Sequence, residues 1–200
     1  MIGSQVRSAD SVALLVMDLQ EGIVALSKSA ESLVTNAARA IASARSTGIL
    51  VVHVHVAFRP GYPEIGSSNS RFLALKRNNL FQHERAHTTV APSGNEIVVT
   101  KRRVNAFYGT DLDTILRANR VESLFLCGFA TSGVVLSTLR DASDRDYEIS
   151  VLRDCCDDMD QSVHDCLMNS VFPTQARVVT SKEFSGGSSA NTWLSRPDPL

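Results

Sequence analysis

The sequence predicts an α/β fold, with one six-stranded, mainly parallel sheet and helices on both faces. Short apolar runs rich in β-branched residues alternate with longer segments of helical period, which is the pattern of repeated βαβ units. The short runs are apolar at nearly every position, as expected of strands buried on both faces. With 200 residues, of which 44% are hydrophobic, the chain is long and apolar enough for a large core.

Six segments have the composition of strands. The first is apolar at every position from Val12 to Met17, and the second is interrupted only by two histidines. We predict strands at residues 11–17, 48–56, 96–100, 123–127, 148–152 and 177–180.

Four segments between the strands have a helical period and recognisable ends. Gly48 follows the first of them and accepts the left-handed conformation in which many helices stop. Thr110 and Asp160 are N-cap residues for two others, and Pro173 follows the end of the last. We predict helices at residues 29–47, 111–120, 132–144 and 160–171.

Two regions lack a clean period. Residues 59–92 are rich in Gly, Pro, Asn, His and Arg, and are too long for a plain connection, so we predict a binding loop or lid with a short helix at 72–76. The Gly/Ser/Pro-rich tail from residue 185 is predicted to be mobile, with Trp193 free to dock on a neighbouring surface.

Composition excludes several classes of protein. The 20 Lys and Arg residues balance the 21 Asp and Glu residues without a basic block, so no nucleic-acid partner is expected. No segment approaches the roughly 20 apolar residues of a membrane span, and no leader peptide is recognised. The four unevenly spaced cysteines favour a reducing compartment, so we expect a cytoplasmic protein. We predict one domain over residues 1–200, with its core at about 11–180.

Candidate functional residues follow the predicted strands, because ligands of parallel α/β sheets bind beyond the carboxyl ends of the strands. Asp18 follows the first strand, where desolvation would suit a general acid or base, although a turn or cap role fits equally well. Lys101 follows the third strand and can stabilise a carboxylate, or belong to a solvated basic run at 101–103. The turn at 127–135 opens a helix whose N–H groups suit an anion, or is an ordinary connection.

Five segments occur in a characteristic order: 14–20 (LLVMDLQ), 98–101 (VVTK), 105–112 (NAFYGTDL), 128–131 (GFAT) and 138–142 (TLRDA). Together they resemble the isochorismatase-like (cysteine hydrolase) superfamily. The resemblance spans about residues 11–180 and implies a Rossmann-like three-layer sandwich with a catalytic Asp, Lys and Cys. Asp18 and Lys101 stand at the first two positions. It also implies a non-proline cis peptide, which we place at Phe129-Ala130, and an oxyanion-binding turn from Phe129 to Gly133.

The nucleophile position departs from the family pattern. In the thiol enzymes the cysteine lies three residues after the turn threonine, here Thr131, and four before the helix threonine, here Thr138. Both counts end on Val134, which has no nucleophilic atom. Ser132 and Gly133 are displaced by one or two residues, which turns a helical side chain away from the pocket, so attack by Ser132 is disfavoured.

The cysteines do not fill this position. Cys127 at the fourth strand and Cys166 on the last helix are predicted to be packed residues. Cys155 and Cys156 follow the fifth strand at the ligand edge, so one thiol can approach the pocket, although packing is the expected role.

The histidines favour no metal site. His53 and His55 share a strand face, which is a tolerable ligand spacing, but the acid of the Asp-x-His pattern in metal-binding nicotinamidases is absent. His83 and His87 share a face only if their segment is helical. His164 resembles a family histidine whose role is a structural hydrogen bond. We therefore predict neither a metal nor a cofactor.

The substrate is predicted to be a small organic molecule. Arg59 and Tyr62 follow the second strand and are candidates for a cation and an aromatic wall, and Phe107 is a second candidate wall. All three also fit ordinary loop packing or a subunit contact. Superfamily members are generally oligomers, so a homodimer or homotetramer is expected.

Three functional hypotheses remain. Isochorismatases proper lack the cysteine, and use an acid to protonate an enol carbon before water attacks the oxocarbenium ion. The first hypothesis is therefore a hydrolase of this type, in which Asp18 and water act on a small carboxylated molecule without a covalent thioester. The second is a degenerate member that binds or assembles. The third is an amidase that uses activated water or a displaced thiol.

Overall fold

The computed structural model describes residues 9–83 and 86–186 and contains one six-stranded sheet. Every strand is parallel to its neighbours, in the order β3-β2-β1-β4-β5-β6, which confirms the predicted fold class and makes the sheet wholly parallel. The strands are β1 (Val12–Met17), β2 (Leu50–Val56), β3 (Ile97–Lys101), β4 (Ser123–Phe129), β5 (Glu148–Asp157) and β6 (Arg177–Val179).

The helices agree with the predicted segments, with some differences at the ends. They are α1 (Glu21–Val24), α2 (Ala30–Thr47), α3 (Ser70–Arg77), α4 (Leu112–Ala118), α5 (Leu136–Asp144), α6 (Gln161–Cys166) and α7 (Ser181–Gly186). Two predicted helices are only partly α-helical, because π-helical turns cover Thr131–Val135 before α5 and Leu167–Val171 after α6. The predicted mobile tail begins inside α7, and its remainder, with Trp193, lies outside the described residues. In the part of the chain that the structure describes, no helix has the length and apolarity needed to cross a bilayer.

The centre of the sheet contains the switch point of the topology. β1 is flanked by β2 and β4, so successive connections run in opposite directions from this strand. Right-handed crossovers in opposite directions place helices on opposite faces and open a crevice at the carboxyl ends of β1 and β4. β1 and β4 are buried at every position, which accounts for their continuous apolar sequences.

Gly128 allows β1 and β4 to meet closely at this crevice. It pairs with Met17 and has a φ of +149°, and a Cβ atom here would lie 2.1 Å from the Met17 carbonyl oxygen. No larger residue fits without displacing backbone. The chain after β1 and the turn after β4 therefore lie side by side.

The region between β2 and β3 folds over the same edge of the sheet. The side chain of Asn69 accepts a hydrogen bond from the Phe72 N–H at 3.2 Å and so caps α3, which is longer than the predicted helix at 72–76. The Phe58 N–H donates to the Phe81 carbonyl at 2.7 Å, and this hydrogen bond joins the two ends of the segment 58–81.

Candidate active site

Asp18 and Lys101 meet at the carboxyl edge of the sheet. Asp18 directly follows β1 in a left-handed conformation, with a φ of 57°, and its N–H donates to the Val54 carbonyl at 2.8 Å. Lys101 is the last residue of β3 and pairs in register with Val56 of the intervening strand. Its Nζ lies 2.8 Å from Asp18 Oδ2, and the side chains of Lys101 and Asp18 are only 2% and 9% exposed. The long lysine side chain therefore reaches across β2 to form a buried ion pair.

Gln20 holds the chain in place just after Asp18. Its Oε1 accepts the Val56 N–H at 2.8 Å, and its Nε2 donates to the Val56 carbonyl at 3.1 Å. The side-chain amide thus completes both backbone hydrogen bonds of a strand end. This contact fastens the segment that carries Asp18 to the end of β2.

The two oxygens of the Asp18 carboxylate differ. Oδ2 faces the Lys101 ammonium group, which also donates to the Arg103 carbonyl at 3.1 Å. Oδ1 is buried and has no hydrogen-bond partner among the described residues. Burial raises the pKa of Asp18, and Lys101, the Val56 backbone and the charge of Arg71 oppose this shift only in part. A carboxyl group in this state can exchange a proton with a ligand.

A cavity of about 160 Å³ lies next to this ion pair. Asp18, Lys101, Arg71 and Arg103 supply its charged groups, so three cations face one carboxylate. The remaining wall is mainly apolar, with side chains from several loops and helices. These are Ile23, Leu26, Val56, Phe72, Leu75, Phe81, Val104, Phe129, Ala130, Val134 and Met159.

The turn after β4 contributes to the same cavity. The peptide bond between Phe129 and Ala130 is cis, and both residues line the cavity together with Gly133 and Val134. Val134 is buried and brings an apolar side chain to the cavity that holds Asp18.

The rest of the turn faces into the protein or toward solvent. The Thr131 hydroxyl donates to the Asp157 carbonyl at 3.0 Å and lies 2.8 Å from His164 Nδ1, so neither residue reaches the cavity. Ser132 is exposed and does not line the cavity, which argues against it as a nucleophile. Its N–H donates to Asp158 Oδ2 at 2.7 Å.

The backbone N–H groups at the start of this turn are already used. The Ser132 N–H is held by Asp158, and the Gly133 N–H donates to the Ala130 carbonyl at 3.0 Å. The oxyanion-binding role of the turn from Phe129 to Gly133 stays a prediction, and it would not draw on these two donors, because both have partners within the fold.

The four cysteines lie away from the cavity. Burial raises the pKa of Cys127 to about 12 and also raises the pKa values of Cys155 and Cys156. A displaced thiol from either of the last two is thus in the wrong place and the wrong protonation state. Cys166 is exposed, not packed as predicted, because α6 turns His164 and not Cys166 toward the core.

Three residues predicted to contact the substrate lie outside this cavity. Arg59 is exposed and pairs with Glu64 at 2.8 Å. Tyr62 is buried beneath its own loop, with its hydroxyl donating to the Leu80 carbonyl at 2.7 Å. Phe107 stacks on Tyr147 at a centroid distance of 6.0 Å. None of the three lines the cavity, since residue position in an irregular loop does not determine side-chain direction.

Arg71, Phe72 and Leu75 of α3 line the cavity instead, and Arg103 supplies a further cation. The spacing of one and four residues along a helix places these three α3 side chains on one side. This spacing is the one signal in the sequence that could have identified these three residues as cavity-lining. It does so only once the helix is known to begin at Ser70 and to cover this edge of the sheet.

The histidines have other roles. His53 Nε2 lies 2.9 Å from Glu96 Oε2, and none of the five histidines lines the cavity. Throughout residues 9–83 and 86–186, no three His, Cys, Asp or Glu side chains are grouped so as to hold a metal ion. His164 is placed for the structural hydrogen bond that the resemblance implies.

Comparison with known proteins places this geometry in a family. Residues 12–183 match the model of the isochorismatase domain. The chain belongs to the isochorismatase family. YecD of Escherichia coli O157:H7, described as an uncharacterized member of the isochorismatase family, is 31% identical over 185 residues, which cover 88% of this chain and 95% of YecD.

Two further comparisons extend this assignment. The ureidoacrylate amidohydrolase RutB of Methylorubrum extorquens is 33% identical over 172 residues, covering 73% of this isochorismatase-family chain and 69% of RutB. The structure of a cysteine hydrolase from Pseudomonas syringae pv. phaseolicola 1448A has a TM-score of 0.83 at 24% identity, covering 92% of this chain and 95% of that one, and shows the shared fold. The isochorismatase family is a family of hydrolases, and RutB is an amidohydrolase within it.

Proposed function

We propose that this isochorismatase-family protein hydrolyses a small carboxylated molecule, with Asp18 as general acid and base and water as the nucleophile. The observation that carries this proposal is the buried Asp18 carboxyl, paired with Lys101 through Oδ2 and without a partner for Oδ1 among the described residues. Burial raises its pKa, so the protonated form needed by an acid is accessible.

The charge and size of the cavity support a small anionic substrate. Lys101 is balanced by Asp18, whereas Arg71 and Arg103 add two positive charges to the wall. The volume of about 160 Å³ is below the roughly 300–1,000 Å³ of pockets for drug-sized ligands.

Asp18 acts twice in this mechanism. Its proton moves from the carboxyl to the substrate, and a water molecule adds its oxygen to the electrophilic carbon that results. For a vinyl ether, one proton of that water returns to Asp18 and leaves a hemiketal. As the C–O bond to the leaving group breaks, the hemiketal hydroxyl proton passes to the leaving-group oxygen and a ketone forms. While Asp18 is ionised, the Lys101 ammonium group 2.8 Å away stabilises the carboxylate.

A covalent thioester is not part of the proposal. Val134 has no nucleophilic atom, and the buried cysteines lie outside the cavity. Because RutB is an amidohydrolase, we propose two types of substrate, a carboxylated vinyl ether and a carboxylated amide.

A second candidate is a protein that binds the carboxylated molecule without turning it over. The apolar side chain of Val134 in the cavity favours this alternative. The burial of Asp18 and its Oδ1 atom without a partner among the described residues favour the enzyme, since a binding protein gains nothing from a buried carboxylate with an unsatisfied oxygen.

The test is turnover of a panel of carboxylated vinyl ethers, including isochorismate, and small carboxylated amides. We expect Asp18→Asn to lower kcat/KM by about 100-fold or more, the usual contribution of a general acid or base. Asp113→Asn is the matched control, because Asp113 pairs with Arg117 on the surface and does not line the cavity. Unchanged activity in Asp18→Asn would contradict the mechanism, and binding without turnover of any compound would favour the second candidate.

A further inference from the structure

We infer that Arg71 is the specificity-determining residue of this site and that, together with Arg103, it selects small substrates that carry two negative groups. This inference rests on the proposed function and names the substrate class. It assigns recognition of substrate charge to α3 and to the segment after β3.

The Arg71 guanidinium lies over the turn that follows β4. Its Nη2 atom is 3.7 Å from the position that a Cβ on Gly133 would occupy. Gly133 directly precedes Val134, the predicted nucleophile position, and Arg71 and Val134 line the same cavity. Arg71 is also close enough to Asp18 for its charge to lower the pKa of that carboxyl group against the effect of burial. One small ligand can therefore contact both Arg71 and Asp18.

The two arginines carry charge that the described protein groups do not balance. Within residues 9–83 and 86–186, neither Arg71 nor Arg103 forms an ion pair with a carboxylate. Arg103 instead donates to the Glu64 carbonyl at 3.0 Å and lies over the Phe72 ring at 5.5 Å. These contacts orient its guanidinium without neutralising it. Arg71 is exposed and Arg103 is half-buried, so both positive charges are open to anionic groups of a ligand.

The start of the neighbouring helix does not compete for this role. The Ser132 N–H is held by the Asp158 carboxylate and the Gly133 N–H by the Ala130 carbonyl. A ligand anion at the turn therefore finds these donors occupied, with a carboxylate already beside them. The Arg71 and Arg103 guanidinium groups are strong partners for such an anion, because they bind carboxylates through paired N–H donors.

The experiment measures binding with carboxylates that this chemistry cannot hydrolyse. Calorimetric titration with succinate and butyrate compares two and one negative charges on the same length of carbon chain. We expect the wild type to bind succinate at least about tenfold more tightly than butyrate. Arg71→Gln should weaken succinate binding by about tenfold and bring the two affinities close together, whereas Arg71→Lys should retain part of the preference.

Two further variants keep the test specific. Arg77→Gln removes a charge from the exposed last turn of the same helix, outside the cavity, and should leave both affinities unchanged. Gly133→Ala places a methyl group at an ordinary contact distance from Arg71, so the chain should fold while succinate binds several-fold more weakly. Equal affinities for succinate and butyrate in the wild type, or an unchanged succinate affinity in Arg71→Gln, would overturn the inference.

Failure of the proposed function is distinguishable from failure of this inference. Succinate binding that depends on Arg71 in a protein that hydrolyses nothing would sink the hydrolase and support the inference. Turnover that depends on Asp18 but is the same in Arg71→Gln would do the reverse.

Discussion

Two carboxylates at opposite ends of β3 show how the same chemical group is used in two ways. Glu96 directly precedes the strand, and its oxygens accept hydrogen bonds from Arg45 at 2.7 and 2.8 Å, from the Ser93 N–H at 2.9 Å and from His53 at 2.9 Å. Asp18 meets the other end of the strand through Lys101 and keeps one oxygen without a partner among the described residues.

The pKa values of the two groups move in opposite directions. The hydrogen bonds from Arg45 and His53 lower the pKa of Glu96 to about 2, so it stays ionised and holds its neighbours together. Burial raises the pKa of Asp18 because the ion pair with Lys101 and the weaker effects of Val56 and Arg71 do not replace the lost solvation. A carboxylate whose oxygens all accept hydrogen bonds, such as Glu96, thus has a structural role. A buried carboxylate with one unpartnered oxygen, such as Asp18, can exchange a proton.

The largest expected effect comes from removing the partner of Asp18. Lys101→Met leaves the buried carboxylate unpaired, and we expect the free energy of unfolding at pH 7 to fall by about 3–5 kcal/mol. The pKa of Asp18 in the folded variant should rise further above its ordinary 3.8, so stability should fall as the pH is raised above about 4. Urea denaturation at several pH values measures both effects.

The double variant Asp18→Asn/Lys101→Met is the control. It removes both charges, and should recover most of the stability lost in the single variant. A single variant within about 1 kcal/mol of the wild type would contradict the view that the pair is buried and coupled.

A smaller effect is expected at His55, which lies between the two carboxylate sites and feels the charges of His53 and Lys101. Burial lowers the pKa of His55 to about 4, so the unfolded chain takes up a proton below about pH 6.5 while the folded chain does not. The wild type should therefore lose about 2–3 kcal/mol of stability between pH 6.5 and 4 through this residue. His55→Leu should flatten that slope, and an unchanged slope in thermal or urea unfolding would count against a buried, neutral His55.

The smallest expected effect is at Glu96, whose oxygens all accept hydrogen bonds. Glu96→Gln keeps the shape of the side chain but removes its charge, and we expect a loss of about 1–2 kcal/mol at pH 7. The folded-state pKa of Glu96 is below its ordinary value, so this contribution is present above about pH 4.5 and disappears as the pH falls toward 2. Enzymatic activity should be unaffected, because Glu96 does not line the cavity. A difference from the wild type that persists at pH 2 would show that charge is not the cause.

Much of the fold was predictable because its signals are local. The apolar runs of β1 and β4 require burial on both faces, and Gly48 ends α2 in the left-handed conformation that its sequence position predicts. The boundaries of α5 and α6 were less predictable, since the π-helical turns beside them have no distinct sequence pattern.

The candidate site was predictable only where a regular element carries the residue. Asp18 and Lys101 stand at strand ends, whose position at the carboxyl edge follows from a parallel sheet. Arg59 and Tyr62 lie in an irregular segment. Although they are only three residues apart, Arg59 forms an exposed ion pair and the Tyr62 hydroxyl donates a hydrogen bond inside the loop. In both cases the sequence signal is a polar or aromatic residue that follows a predicted strand. Only a residue within or directly beside a strand or helix has a side-chain direction that follows from that element.

The sequence by itself determined the fold class, the apolar strands, the presence of Asp18 and Lys101 at one edge, and a valine at position 134. The fold class, the strands and the shared edge follow from composition and periodicity along the chain, whereas the importance of position 134 follows from the resemblance of the neighbouring motifs to a known family. Only the tertiary structure decided that Lys101 reaches Asp18 across β2, that Oδ1 of Asp18 is left unpaired, and that Arg71 and Arg103 enter the cavity. Contacts between residues far apart in the chain depend on strand order and on the direction of each side chain, and burial then sets the proton affinity of the groups that meet.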